Sequence, residues 1–255
     1  MHDNQHPFAK AERASGIKVD LLIPARDEEA ALPLLLGEID RSPLRRIVVV
    51  DNGSRDRTAS LAKDLGCAVV FCPVPGYGRA CLAGIDFLKS GPPDILVFLD
   101  GDRSDHPQHL PALLQPILDG DADLVLGSRT KGLAEKGSLT FTQRFGNALA
   151  TTLMRWFWQV DYSDLAPFRA IRWQALMELA MGDQNYGWTI EMQIKAAIRG
   201  LRVTEVPVTY RKRVGTSKIS GTLGGAFRAG TKILATIFRY RFGKIPRNAE
   251  AAYHD

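Results

Sequence analysis

The stretch DILVFLDGDRSDHP, residues 94–107, is an apolar run that stops abruptly at acid. Ile95 to Leu99 carry no charge and include β-branched and aromatic side chains, which reads as a buried strand. Asp100 and Asp102 follow, separated only by Gly101. Two carboxylates flanking one small residue at a strand end direct oxygen ligands toward a hard divalent ion, and a glycine between them permits close approach. Such an ion neutralises a diphosphate and stabilises the charge that grows on it as it leaves. A solvated turn would use the same three letters, so the neighbouring segments have to decide.

Working outward, the same grammar repeats. Apolar runs at 17–23, 45–51, 67–71 and 122–128 flank the first, and helical patterns alternate with them. ARDEEAALPLLL follows the first run, and NGSRDRTASLAKDLG follows the second, with Asp56 as N-cap and Gly66 as stop. PVPGYGRA turns into a helix reaching about Lys89, and HPQHLPALLQPILDG forms the next. Continuous apolar strands separated by helices predict an α/β fold, a mostly parallel central sheet flanked by helices. The second half is less regular. Helices are expected at 140–160, 171–180, 188–199 and 223–242, a loop or short strand at 164–170, an extended segment at 201–210, and a basic loop, RKRVGTSKISG, at 211–221.

Ligands of open parallel sheets sit beyond the carboxyl ends of the strands. Acid recurs there: Asp27 and Glu28 after the first strand, Asp51 after the second, Asp100 and Asp102 after the fourth. One strand-end aspartate is often a helix cap, but several on successive strands indicate a shared site. GYGRA at 76–80 lacks the GxGxxG pattern and the Walker lysine, which weighs against NAD and against ATP bound by a P-loop. It reads as a tight turn beside a nucleotide, with Gly78 and Arg79 in the binding set.

Composition narrows the class. The 255 residues are 45% hydrophobic and 24% charged, which excludes general disorder. Three cysteines, Cys67, Cys72 and Cys81, make neither a disulfide framework nor a zinc knuckle and read as buried thiols. The apolar runs are too short for a transmembrane helix. The start, residues 1–16, has no signal-peptide core and is expected to be a loose tail. The net charge is +5, yet residues 199–250 hold 12 basic and 2 acidic side chains. That imbalance predicts an anionic partner on one side of the molecule. With no zinc finger and no aromatic RNA motif, nucleic acid is not expected.

Taken in order, LLIPARDEEA (21–30), VVDNGSRDRT (49–58), GYGRA (76–80), FLDGDRSDHP (98–107) and DLVLGSR (123–129) resemble glycosyltransferase family 2, inverting enzymes of the GT-A fold. The resemblance implies a nucleotide-sugar donor, a UDP- or GDP-hexose, and Mg²⁺ or Mn²⁺. It places Pro24, Arg26 and Glu28 around the nucleoside and Asp51 on base or ribose. Asp100 would face ribose and sugar, Asp102 would be the principal metal ligand with Asp100 beside it, and Arg129 would shape the donor site.

The second half is similar to the dolichyl-phosphate mannosyltransferase and polyprenyl-phosphate branch, on YSDLAPFRAIRWQAL (162–176) and YRKRVGTSKISG (210–221). That resemblance implies a polyprenyl-phosphate or other lipid acceptor, with Arg211, Arg213, Lys218 and Ser220 gripping phosphate. The alternatives are transfer to a hydroxyl of a lipid, small molecule or glycan, with Asp164 as base, or a non-catalytic anion-binding protein. Glu191 is read either as facing the acceptor or as a surface cap. The domain division expected is a GT-A domain at 17–210, then a basic loop and amphipathic helix at 211–255. The apolar positions of that helix, with Arg and Lys interspersed, suit an anionic membrane surface or packing on the domain. The protein is therefore expected in the cytoplasm, peripheral on the membrane, and a homo-oligomer is possible.

Overall fold

Strands account for the centre of the molecule. In the computed structural model, which describes residues 16–215 and 223–243, seven of them form one sheet. In chain order these are β1 (Val19–Ala25), β2 (Arg46–Asp51), β3 (Ala68–Phe71), β4 (Ile95–Phe98), β5 (Leu124–Ser128), β6 (Arg169–Arg172) and β7 (Val203–Pro207). Their order across the sheet is β3-β2-β1-β4-β6-β5-β7. All neighbours are parallel except β6, which runs antiparallel to both β4 and β5. The expected mostly parallel sheet is present, with one reversed strand in its interior, fifth of the seven.

The central strands are buried on both faces, which is why they read as unbroken apolar runs rather than as alternation. Helices α1 (Leu32–Glu38), α2 (Thr58–Asp64) and α4 (Leu110–Leu118) cover one face, with Leu35, Ala62, Leu113 and Ile117 packed onto Ile23, Val49 and Val97. Helices α3 (Tyr77–Leu88), α5 (Phe141–Trp158), α6 (Trp173–Leu179), α7 (Trp188–Arg199) and α8 (Leu223–Phe242) cover the other, where Ile85, Met154, Leu176, Trp188 and Ile237 meet Leu22, Val50 and Phe98.

Local signals explain several boundaries. Thr140 and Gln143 form a capping box that starts α5. Gly200, left-handed at φ 66°, ends α7. The Asp56 expectation needs correction: Arg57 is the N-cap of α2, and Asp56 lies one residue earlier. Its Oδ1 accepts from Thr58 N–H at 3.0 Å and its Oδ2 from Glu29 N–H at 3.1 Å, so it ties the helix start to the loop after β1. The three cysteines are buried free thiols. The loose tail expected at 1–16 falls, apart from Gly16, outside the described residues, as do Lys218 and Ser220.

Candidate active site

The carboxyl ends of β1, β2, β4 and β5 and the start of the reversed β6 share one edge of the sheet. Loops from the first two strands are laced together there. Asp27 N–H donates to Ser54 Oγ at 3.0 Å, Arg55 N–H to Asp27 Oδ1 at 2.7 Å, and Glu28 N–H to Thr58 Oγ1 at 2.8 Å. Asp51 is buried and accepts from Ser54 N–H. Pro24 is half-buried at the end of β1, and the partly buried Arg26 lies 3.9 Å from Asp27.

Asn52 was not singled out by its sequence context, yet it organises this wall. Its amide donates to the carbonyls of Cys72 and Val74 and accepts from Gly76 N–H at 2.7 Å. That fixes the turn into α3. Arg79 N–H donates to Gln184 O, and a Cβ on Gly78 would lie 2.0 Å from Asp183 O. The glycine of GYGRA is thus required by backbone packing on the 183–187 loop. Asp183 in turn accepts from the N–H groups of Asn185 and Gly187 and pairs with Lys232 of α8 at 2.9 Å.

Asp100 and Asp102 stand at the end of β4. A Cβ on Gly101 would sit 3.3 Å from Pro24 O, so a small residue is needed where this turn crosses β1. Tyr77 O–H donates to Asp100 Oδ1 at 2.9 Å. Burial, and then the neighbouring charge of Asp102, push the Asp100 carboxyl up to about 6, against the opposing Tyr77 bond. Asp102 Oδ1 accepts from Ser104 N–H at 2.9 Å, and Oδ2 lies 3.0 Å from Arg213 Nη1. Asp105 is wholly buried with no hydrogen-bond partner on either oxygen among the described residues, and burial followed by the charge of Asp100 raises it well above the usual carboxylate range.

Two arginines line the next part of the edge. Arg129 meets Asp164 through N–H, Nε and Nη2 at 2.8, 2.8 and 2.7 Å, and its guanidinium lies 5.0 Å from the centre of the Tyr210 ring. Both oxygens of Asp164 are therefore engaged, and the residue is 1% exposed. Arg169 is equally buried, opposite Phe98 and Leu126 in the sheet register, and donates to the carbonyls of Ala166 and Thr189. Burial lowers it to about 10.

Of the basic loop, Arg211 pairs with Glu38 at 2.6 Å and also donates to Arg103 O. Glu191 is buried rather than on the surface, and it pairs with Lys195 at 3.1 Å. It accepts from Gly182 and Asp183 N–H and from Tyr240 O–H at 2.7 Å, joining α7 to α8.

The family model of glycosyl transferase family 2 matches residues 20–180. The chain belongs to that family. This glycosyltransferase is 37% identical over 218 residues to an uncharacterized glycosyltransferase of Mycobacterium tuberculosis, covering 84% of this chain and 95% of the relative. It is 32% identical over 215 residues to polyprenol monophosphomannose synthase of Mycolicibacterium smegmatis, covering 79% and 81%. Its fold matches glucosyl-3-phosphoglycerate synthase of M. tuberculosis, solved with Mn²⁺, UDP-glucose and phosphoglyceric acid, with a TM-score of 0.75, 21% identity, and 96% and 87% coverage. The GT-A-like architecture is thereby established.

These likenesses correct two expectations. The narrower dolichyl- and polyprenyl-phosphate branch is withdrawn, because solved structures that share this fold are of glucosyl-3-phosphoglycerate synthase. The lipid acceptor and the anionic membrane surface go with it. The structure supplies the physical reason. Arg211 is held by Glu38, and of the apolar residues of α8 Ile237 is fully buried and Ile233 and Leu234 pack onto the core, while Phe238 stays exposed. Among the described residues no helix is long and apolar enough to cross a membrane.

Proposed function

We propose that this glycosyltransferase moves a hexose, with inversion, from a UDP-sugar to a hydroxyl of a small anionic acceptor, using a divalent cation. The observation that carries the reading is the Asp100–Asp102 pair at the mouth of the sheet. Burial, and then the neighbouring charge of Asp102, raise the Asp100 carboxyl to about 6, a cost that a bound cation removes. The fit to Mg²⁺ or Mn²⁺ rests on this donor set. Among the described residues no three His, Cys, Asp or Glu side chains converge, so the protein offers these two carboxylates and the remaining coordination suits diphosphate oxygens and water. When bound, the cation supplies charge stabilisation to the departing diphosphate.

The chain's own residues do the positioning. Asp51 and the laced loops at 27–29 and 52–58 form the nucleoside wall, with Pro24, Arg26 and Glu28 on it. Gly78 and Arg79 bring the start of α3 against that wall. Asp164 holds Arg129 in one orientation by a bidentate pair, which aims a buried cation toward the donor, and the proton of the acceptor hydroxyl is taken up by the departing diphosphate of UDP as the new glycosidic bond forms and the bond to the diphosphate breaks. The UDP and small-acceptor assignments draw support from the ligands solved with the structurally similar synthase. Lys218 is assigned to anion binding from its place in the basic loop alone.

The test is UDP release from a panel of UDP-hexoses with Mn²⁺ and small phosphorylated acceptors bearing a free hydroxyl. We expect turnover with at least one pair, and a loss of at least about 100-fold in Asp102→Asn with the fold retained. Equal turnover in that variant would remove Asp102 from the reaction.

A further inference from the structure

Residues 210–214 lie along residues 102–105 as a short ladder. Arg211 N–H donates to Ser104 O at 2.9 Å, Val214 N–H donates to Asp102 O at 3.1 Å, and Tyr210 bridges Asp105 in antiparallel fashion. Arg211 fastens this strap through Glu38 and Arg103 O. Arg213 is placed differently. Its guanidinium is 3.0 Å from Asp102 Oδ2, while Asp102 Oδ1 is taken by Ser104 N–H. Both oxygens of Asp102 are thus engaged before any ligand arrives.

A guanidinium in contact with a carboxylate oxygen competes with a divalent ion for that oxygen, because each lowers its negative charge and the two cations repel. We propose that Arg213 is the resident counter-cation of Asp102, and that it leaves this carboxylate when metal enters, to pair instead with the phosphates that accompany the metal. The inference rests on the reading of Asp102 as a metal ligand. Each partner exchanges one opposite charge for another: Asp102 gives up a guanidinium for a metal ion, and Arg213 gives up a carboxylate for a phosphate. Neither is left uncompensated at the end, whereas metal alone would strand Arg213 and nucleotide alone would find it occupied. Metal and nucleotide are therefore coupled, each tightening the other. Arg suits this exchange because its planar fork matches carboxylate and phosphate alike.

The experiment is a Mn²⁺ titration of the full chain, with free Mn²⁺ read by electron paramagnetic resonance, first without nucleotide and then with saturating UDP. In the wild type UDP is expected to tighten Mn²⁺ by at least about tenfold. Arg213→Gln is expected to bind Mn²⁺ alone about 5- to 50-fold more tightly than wild type, and to lose most of the tightening by UDP. Arg213→Lys keeps a cation on Asp102 and is expected to stay near wild type for Mn²⁺ alone, which guards against a misfolded glutamine variant. Unchanged or weaker Mn²⁺ binding in folded Arg213→Gln, with Asp102→Asn abolishing it, would overturn the exchange while leaving Asp102 as a ligand. Wild-type Mn²⁺ binding in Asp102→Asn would instead sink the parent reading, and the exchange with it.

Discussion

Asp100 shows how a single side chain carries a conflict that function requires. It accepts the Tyr77 hydroxyl, sits beside Asp102, and has the buried Arg169 nearby. Its carboxyl holds a proton up to about pH 6 in the folded chain, against 3.8 for the ordinary side chain. A carboxyl raised by folding favours the folded state while protonated and loses that contribution as pH rises toward its folded value. In the ligand-free protein near pH 7 the ionised Asp100 is thus a cost. Asp100→Asn keeps an acceptor for Tyr77 and removes the charge. We expect it to stabilise the ligand-free protein by about 1–3 kcal/mol at pH 7 to 8. That advantage should fade as pH falls from about 6 toward 4, measured by urea unfolding across this range. An advantage constant with pH would show that the charge is not its source. Asp100 and Asp102 were legible in the sequence because the apolar run ends on them. Glu38, Asn52, Asp183 and Arg169 were not. Their partners lie on other elements, and pairing at a distance leaves no local spacing to read.

At the level of elements, strands were easy to place and their directions were not. Val19–Ala25 and Arg46–Asp51 announce themselves by unbroken burial. β6 has only four residues, and nothing in Arg169–Arg172 says that it runs opposite to its neighbours. That direction follows from which loops can reach, a property of the whole chain. The start of α3 is the reverse case, since the glycines of GYGRA were legible as a turn while the surface against them was not. Gly78 meets the Asp183 carbonyl with no room for a methyl group. Gly78→Ala must push the 183–187 loop away, and with it the Asp183–Lys232 link to α8. We expect a loss of about 2–4 kcal/mol by chemical unfolding, in the range of overpacked or strained buried sites. A thermal midpoint within a degree of wild type would show that the loop yields freely. Gly146 offers a matched control, because a Cβ there meets nothing within 4 Å. Gly146→Ala, within α5, should be neutral or stabilising by up to about 1 kcal/mol.

Across the molecule, the charge imbalance read from the sequence has an internal use. Among the described residues Arg202 pairs with Asp123, Arg211 with Glu38, Arg213 with Asp102 and Lys232 with Asp183. Four of the basic residues of the C-terminal part are thus paired with acids of the body, in addition to any outside anion that composition pointed to. Salt should weaken the exposed members of this set first. The two cores on either side of the sheet make the pairing possible, since α8 seats Ile237 in one of them.

The reversed strand has a consequence for how the chain is made. β4 and β5 are both complete some forty residues before β6 is translated, yet neither touches the other in the finished sheet, because β6 lies between them. Until Arg169–Arg172 emerges, β4 presents an open, fully apolar edge, and β5 has no neighbour to pair with. Premature side-by-side joining of β4 and β5 would be a trap that must be undone before β6 can insert. Folding is therefore expected to proceed from β1 and β2 outward, with the β5–β7 side waiting on the last third of the chain. Pulse-labelled hydrogen exchange during refolding should find amides of β1 and β2 protected before those of β5 and β7. Simultaneous protection of both groups would mean that β6 slots in without delay.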